Sequence, residues 1–476
     1  MRGFLIRMFY KLPIPLTMKR RILRLRRRMI GYEEIKDNEV RVESDLETSR
    51  QYIDQVLHIP SINIESSSYV PLSNRNYMRE NDDIKLFAFY LTQYHPTKEN
   101  DKWWGKGTTE WNNVVRAVPQ FVGHSQPRFP DELGYYDLRI KDVMFRQIEL
   151  AKQYGIYGFC FYHYWFGNDK RILEKPLNTF LHEKLLDIPF FYCWANHNWY
   201  KKFQGTSDEV LIEMPADKTI YMQYVKAIIP DMMDERYYKI NGKPVIMVYR
   251  PLDIPDVREV LAKWREDAIN KGFTGLYIIA VHEVGESMDY RKKGYDASSE
   301  FQPTTFSNLL SKVPAHVKLI NAAFSGKIYD YTKIVNDQLY SNYSSPKLYR
   351  SAMAFWDNTA RKNSRALVFT NESVGAYKKW ICDLIDYNRS NNRLDDNIAF
   401  INAWNEWGEG AYLEPDKQYG YALLDATRAA IEEKREERNQ SDVCFVVYDG
   451  TLSGTWNFSA SGGERSTSGR QTHTKQ

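Results

Sequence analysis

From residue 84 onward one rhythm governs the chain, and it restricts the fold more than any single motif does. Short runs of apolar, β-branched and aromatic residues recur at 85–95, 156–166, 189–199, 244–250, 276–283, 296–302, 350–357 and 397–404. Stretches with helical spacing of apolar positions separate them, at 139–153, 174–186, 217–233, 254–270, 284–294, 328–338 and 372–390, with a last one at 419–435. A parallel strand buried on both faces reads as a near-continuous apolar run. Eight such runs alternating with helices predict an α/β fold, a single (β/α)8 TIM-type barrel over 84–437. An open doubly wound sheet is the competing architecture. It would be expected to open with a G-x-G-x-x-G turn between strand and helix, and no such turn follows any of these runs.

The flanks differ from this body. Residues 1–30 carry ten Lys or Arg and no acid; without them the chain, formally +4, has 55 basic against 61 acidic residues. The body therefore lacks the basic surplus of a nucleic-acid binder. Within this basic N-terminal extension, Met18, Ile22, Leu25 and Met29 recur at helical spacing among arginines. Two readings fit: an amphipathic helix on an anionic membrane surface, or a basic leader without fixed structure. Arg2, Arg7 and Lys11 interrupt the apolar stretch that a secretion signal needs, and no run is long enough to span a bilayer. Residues 31–80 are polar, acidic and rich in Ser and Asn, as in a linker with room for one helix. The segment 440–476 reads as one strand, Val443 to Tyr448, followed by a disordered C-terminal tail, the outline of a truncated second domain. Cys160, Cys193, Cys382 and Cys444 are scattered, with no C-x-x-C pair. Buried reduced thiols, and with them a cytoplasmic location, are expected.

In such a barrel the chemistry collects at the C-terminal ends of the strands. Here those ends are aromatic and amide-rich: Tyr94 and His95 after the first, Tyr162, His163 and Tyr164 in the second, and Trp194, Asn196, His197, Asn198 and Trp199 after the third. Trp356, Asp357 and Asn358 end the seventh, and Trp404, Asn405, Glu406, Trp407 and Glu409 the eighth. The 14% aromatic content suits either a large core or a sugar cleft, because rings stack on the C–H faces of sugars.

Glu406 and Glu409 form the centre of the candidate site. Cleavage of a glycosidic bond needs one carboxyl to protonate the leaving oxygen and a second group as base or nucleophile. Gly408 allows a tight backbone between the two glutamates, and Trp404 and Trp407 screen them, so their acidities should separate. The competing reading is a solvated acidic turn. Trp103, Trp104, Glu110 and Trp111, in the loop after the first strand, read as one wall of the cleft or as a hydrophobic plug. The histidines sit on separate strands without H-E-x-x-H or H-x-H spacing, so no metal or other cofactor is expected and sugar-hydroxyl contact is the better role. The chain also contains no D-x-D, the metal-binding motif common in nucleotide-sugar transferases.

The runs FAFYLTQYHPTKENDKWWGKGTTEWNNV, GHSQPR, YGIYGFCFYHYWF, CWANHNW, GKPVIMVYRP, FWDNTAR and FINAWNEWGEGAYLEPD resemble the WbsX-like proteins of bacterial surface-polysaccharide gene clusters, over roughly 85 to 425. That group is similar to glycoside hydrolase family 99, a (β/α)8 family of endo-acting α-mannosidases and mannanases. The resemblance implies that Glu406 is a base removing the proton of the sugar's own 2-hydroxyl, giving a 1,2-anhydro intermediate. It implies that Glu409 is the acid for the leaving group and later activates water, with net retention. Trp356, Asp357, Asn358 and Arg361 match a sugar-contact motif on strand seven. His197 departs from the pattern, which has Glu there. The expected activity is thus a retaining glycosidase or transglycosylase of O-antigen or capsule metabolism acting on an oligo- or polysaccharide. A glycosyltransferase of lipopolysaccharide biosynthesis working on a lipid-linked glycan is the alternative, and a catalytically silent glycan-binding protein a third. Removing residues 1–30 should release the protein from anionic liposomes in a sedimentation assay; unchanged co-sedimentation would reject the membrane-surface reading.

Overall fold

The computed structural model describes residues 47, 50–54, 68–200, 209–282, 288–342 and 344–447, the last seven as backbone only. The expected leader helix and the tail beyond 447 lie outside the described residues. All the expected barrel strands form: β1 (Lys85–Tyr90), β2 (Ile156–Trp165), β3 (Phe190–Trp194), β4 (Lys243–Val248), β5 (Tyr277–Val281), β6 (Ala297–Ser299), β7 and β8 (Ile398–Asn402). β7 comes in two pieces, Leu348–Tyr349 and Ser351–Met353, on either side of Arg350. The barrel pairings are parallel and follow chain order. β8 pairs with β1 from Lys85↔Ile398 to Ala88↔Ile401. The first piece of β7 bonds to β6 and the second to β8, which completes the ring.

Helices pack around it: α1 (Lys141–Gln153), α2 (Lys175–His182), α3 (Lys218–Met232), α4 (Val257–Asn270), α5 (Tyr331–Asn336), α6 (Val374–Ser390) and α7 (Ala422–Val447). Local chemistry sets their starts. The Asp217 carboxylate accepts from Thr219 N at 2.9 Å to cap α3, and Ser373 Oγ accepts from Ala376 N at 3.2 Å to cap α6. Apolar positions spaced by three and four then face the barrel, as Val260, Leu261, Trp264 and Ala268 do on α4.

The inside of the ring is filled by aromatic rings. Phe87 meets Phe191 at 5.1 Å, and Phe89 meets Phe301 at 4.9 Å and Phe400 at 5.8 Å between centroids. Much of the aromatic content is therefore core. Gly158 on β2 makes this filling possible, because a Cβ there would lie 2.4 Å from both the Phe87 ring and the Pro189 carbonyl oxygen.

Three expected elements differ. Of 284–294, residues 284–287 lie outside the described residues, and the rest holds only the short turn Tyr290–Lys293, in which Tyr290 alone is buried. The stretch 328–338 begins as a strand, Lys327–Asp330, paired with Leu367–Thr370, before α5. Val443 to Val447 end α7 and do not form a strand, since no Gly or Pro interrupts the chain between 422 and 447. The linker region also does more than connect. Tyr77 and Asp83 are buried, and Arg435 of α7 pairs with Asp83 and donates to the Tyr77 hydroxyl at 3.0 Å. Gly158→Ala should lower stability by about 1–3 kcal/mol through overpacking, measured as a drop in the denaturation midpoint.

Candidate active site

The turn that carries the two glutamates is held by the opposite end of the chain. Asn405 Oδ1 accepts from Leu91 N at 2.8 Å, and its Nδ2 donates to Leu91 O at 3.0 Å. The Tyr94 hydroxyl donates to Asn405 O at 2.5 Å and accepts from Trp407 N at 3.0 Å. Asn405 and Tyr94 thereby fasten the β8 end to the β1 end. Trp407 stacks on Tyr412 at 3.7 Å, and its Nε1 donates to Glu414 at 2.6 Å. Glu414 also accepts from Tyr136 Oη at 2.9 Å and Gln147 Nε2 at 2.5 Å. Burial outweighs these donors and pushes the Glu414 carboxyl up to about 7.

Arg361 gathers the site. Its Nε lies 2.6 Å from Glu110, its Nη2 2.5 Å from Glu406 and its Nη1 3.0 Å from Glu409. Three carboxylates thus share one guanidinium. The Glu406 side chain is 8% exposed and that of Glu409 24%, so one is closed in and the other open to a ligand. Burial pushes Glu406 well above the usual carboxylate range; Arg361 opposes this, while Glu409 and Glu110 add to it. Gly408 has a use beyond a tight turn. A Cβ there would sit 2.0 Å from Glu110 Oε1 and 2.8 Å from Arg361 Nε, where the ion pair crosses the loop.

Rings surround this cluster. Tyr164 meets Trp199 edge-on at 5.0 Å, and Tyr162 lies 6.3 Å from Tyr249, whose ring is 5.5 Å from His197. The Tyr164 hydroxyl is raised by burial and then by Glu406, and Tyr249 by burial with smaller contributions from Glu409 and Glu406. Tyr249, at the end of β4, and Phe301, after β6, were not among the expected site residues. The tyrosine directly after the apolar run in GKPVIMVYRP is the available signal for Tyr249.

Several expected residues lie elsewhere. Trp194 stacks on Tyr224 of α3 at 4.0 Å and donates to Trp165 O at 2.9 Å, between barrel and helices. His163 sits in the same layer, 3.1 Å from the Tyr224 hydroxyl, and burial pushes it down to about 3. His95 is fully buried and is pushed down to about 4 by that burial. Trp404 packs on Phe159 at 5.2 Å, away from the mouth. Successive side chains on a strand alternate between faces, so half of a strand end points to the helices. Trp111 is buried against Tyr94 at 4.7 Å and Trp407 at 5.5 Å and donates to Tyr136 O at 2.8 Å, as a plug would, whereas its neighbour Glu110 reaches Arg361. Trp103 is half-buried against the core and Trp104 half-buried beside it.

The amides and Asp357 serve the loops. Asn196 exchanges hydrogen bonds with the Arg250 backbone at 2.7 and 2.9 Å, and Asn198 accepts from Met214 N at 2.9 Å. Asn358 accepts from Leu367 N at 2.7 Å. Asp357 meets His124 Nε2 at 2.7 Å and Gln126 Nε2 at 2.5 Å, and its N–H donates to Glu409 O at 2.7 Å. Burial alone would raise its pKa, but His124, Arg128 and the Thr359 N–H hold the carboxyl well below the usual range. Trp356 is buried beside it. Among the described residues no group of His, Cys, Asp or Glu has the arrangement to hold a metal, and no helix is long and apolar enough to cross a membrane.

A closed parallel barrel whose mouth gathers glutamates and aromatic rings is the framework of a carbohydrate-active enzyme. The family profile described as Glycosyltransferase WbsX matches residues 86–427, and the chain belongs to that family. It is similar to the uncharacterized protein WxcX of Xanthomonas campestris pv. campestris, with 38% identity over 346 residues in strains B100 and ATCC 33913, covering 73% of this chain. That match takes in 49% of WxcX, so the chain spans about half the length of the curated relatives it matches. Among solved structures it is similar to a GH99 endo-alpha-mannosidase from Bacteroides thetaiotaomicron, at 13% identity and TM-score 0.46, covering 74% of this chain and 98% of that one. It is also similar to a glycoside hydrolase-like protein, at 14% identity and TM-score 0.47, covering 77% and 98%.

Glu414 makes the site's support sensitive to pH. The folded protein holds this proton more tightly than the unfolded chain, so the contribution to stability is full below pH 4.5 and falls as pH rises to about 7. Across that window the stability of the wild type relative to Glu414→Gln should decline by about 3 kcal/mol. Denaturant titrations at matched pH values measure it, and a constant difference would contradict the raised pKa of Glu414.

Proposed function

We propose that the chain acts on glycosidic bonds of a cell-surface polysaccharide, O-antigen or capsule, as a retaining glycosidase or transglycosylase with Glu406 and Glu409 as its reacting carboxyls. The observation that carries this reading is the pair held on Arg361, one closed in and one open. Three carboxylates on one guanidinium leave an excess of negative charge, and it falls on the buried Glu406, whose proton is held more tightly for that reason and for its burial. A carboxyl raised by burial is a stronger base once it ionises, and Arg361 keeps that ionised form within reach. In the proposed cycle Glu406 takes the proton of the 2-hydroxyl while Glu409 gives one to the departing oxygen. The 2-oxygen bonds to C1 as the C1–O bond to the leaving group breaks, and water, deprotonated by Glu409, then opens the 1,2-anhydro sugar at C1 while Glu406 returns its proton to the 2-oxygen, with net retention.

In this reading the protein works on the cytoplasmic side, with residues 1–30 holding it at an anionic membrane where the glycan is lipid-linked. Glu406→Gln and Glu409→Gln should each lower the release of new reducing ends from O-antigen or capsule oligosaccharides by on the order of 10²–10⁴-fold. Full activity in both would remove the assigned roles. The family's description, Glycosyltransferase WbsX, names the second reading, a glycosyltransferase, for which we take a nucleotide sugar as the donor to test. Calorimetric titration with nucleoside diphosphates decides between them: tight binding would displace the first reading.

A further inference from the structure

A second polar pocket lies behind the carboxylate cluster. It has a volume of about 120 Å³ and is bounded by the loop carrying Phe121, His124 and Arg128, the strand end Phe369–Glu372 and the turn at Gln418–Tyr419. Asp357 separates it from the cluster, with His124 on the pocket side of its carboxylate and the Glu409 carbonyl on its N–H. The volume is below that of a drug-sized site and suits one sugar unit or part of one.

Arg128 is the unusual group there. It is 5% exposed, and its Nη2 donates to Glu372 at 2.8 Å. Its Nε and Nη1 are buried with no partner among the described residues. Buried N–H groups without acceptors are unfavourable, and an incoming oxygen would satisfy them. The charge around Arg128 selects the kind of oxygen. Glu372 already balances the guanidinium, and Asp357 and Asp416 lie within electrostatic reach, so an anion would meet more negative than positive charge. A hydroxyl has the right valence, accepting from Arg128 while donating to the Glu372 carboxylate. His124 cannot compete for it, because its ring nitrogens meet Gln120 N at 3.0 Å and Asp357 at 2.7 Å. The Phe121 ring, stacked on His124 at 4.2 Å, adds an apolar wall of the kind that sugar C–H faces contact.

We propose that this pocket binds one neutral, polyhydroxylated sugar unit through Arg128 and Glu372, as a subsite apart from the reacting carboxyls. The proposal rests on the glycan-acting reading above and adds a place where the substrate is held. Saturation-transfer NMR on the full chain with free hexoses, 6-deoxyhexoses and hexuronates tests it. Wild type and Glu406→Gln should both saturate a neutral sugar. Thr370→Trp, which fills the pocket from its half-buried rim, should weaken that binding at least tenfold. Arg128→Lys, which keeps a charge for Glu372 but loses the forked donors, should do the same. Preference for a hexuronate would overturn the proposal, as would no neutral-sugar signal in the wild type. Binding lost in Glu406→Gln and kept in Thr370→Trp would put the sugar in the main cleft and overturn it too. If Glu406→Gln abolishes turnover while Thr370→Trp leaves sugar binding intact, the two-glutamate reading stands and this subsite alone falls.

Discussion

One guanidinium, that of Arg361, decides what the barrel mouth can do. It reaches Glu110 from the loop after β1 and Glu406 and Glu409 from the turn after β8, while Arg361 itself follows β7. Without a cation between them, three carboxyls at this spacing would repel one another or take up protons. With it they stand together on one cation, Glu406 closed in and Glu409 more open. The neighbouring packing serves this arrangement: Gly408 leaves room for the ion pair, and Asp357 anchors the carbonyl of Glu409.

The barrel was readable in the sequence because its signal is repeated. Each strand is an apolar run and each helix a periodic one, so an error in one element does not disturb the rest. The helix expected at 284–294 is such a case: of its described part, 288–294, only a short turn at Tyr290–Lys293 forms. The site was less readable, because aromatic and histidine content marks a strand end without saying which face a residue takes. Trp194 and His163 belong to the alternate positions that face the helices, and Tyr162 and Tyr164 to those that face the mouth. Tyr249 was passed over because a lone tyrosine before Arg250-Pro251 resembles an ordinary strand exit.

Motif-rich segments turned out to hold two kinds of residue, those that meet the mouth and those that hold them. Asn405 is consumed by the Leu91 backbone, Asp357 by His124 and Gln126, and Trp407 by Glu414. A polar side chain at a barrel mouth is as able to close a loop as to contact a ligand, and residue type alone does not separate the two. The GHSQPR run shows the same ambiguity in reverse. It supplies His124 and Gln126 to a buried carboxylate and leaves part of Arg128 unsatisfied beside a pocket.

The clasp between Asn405 and Leu91 joins residues 314 positions apart, and that of Tyr94 with Trp407 joins residues 313 apart. Contacts at such sequence separation form only once distant parts of the chain have met. The turn bearing Glu406 and Glu409 is therefore among the last pieces to be set during folding, after the first and last staves stand side by side. A chain still emerging from the ribosome could hold its early strands together but not yet this turn, whose anchors at the end of the first strand wait for the last one.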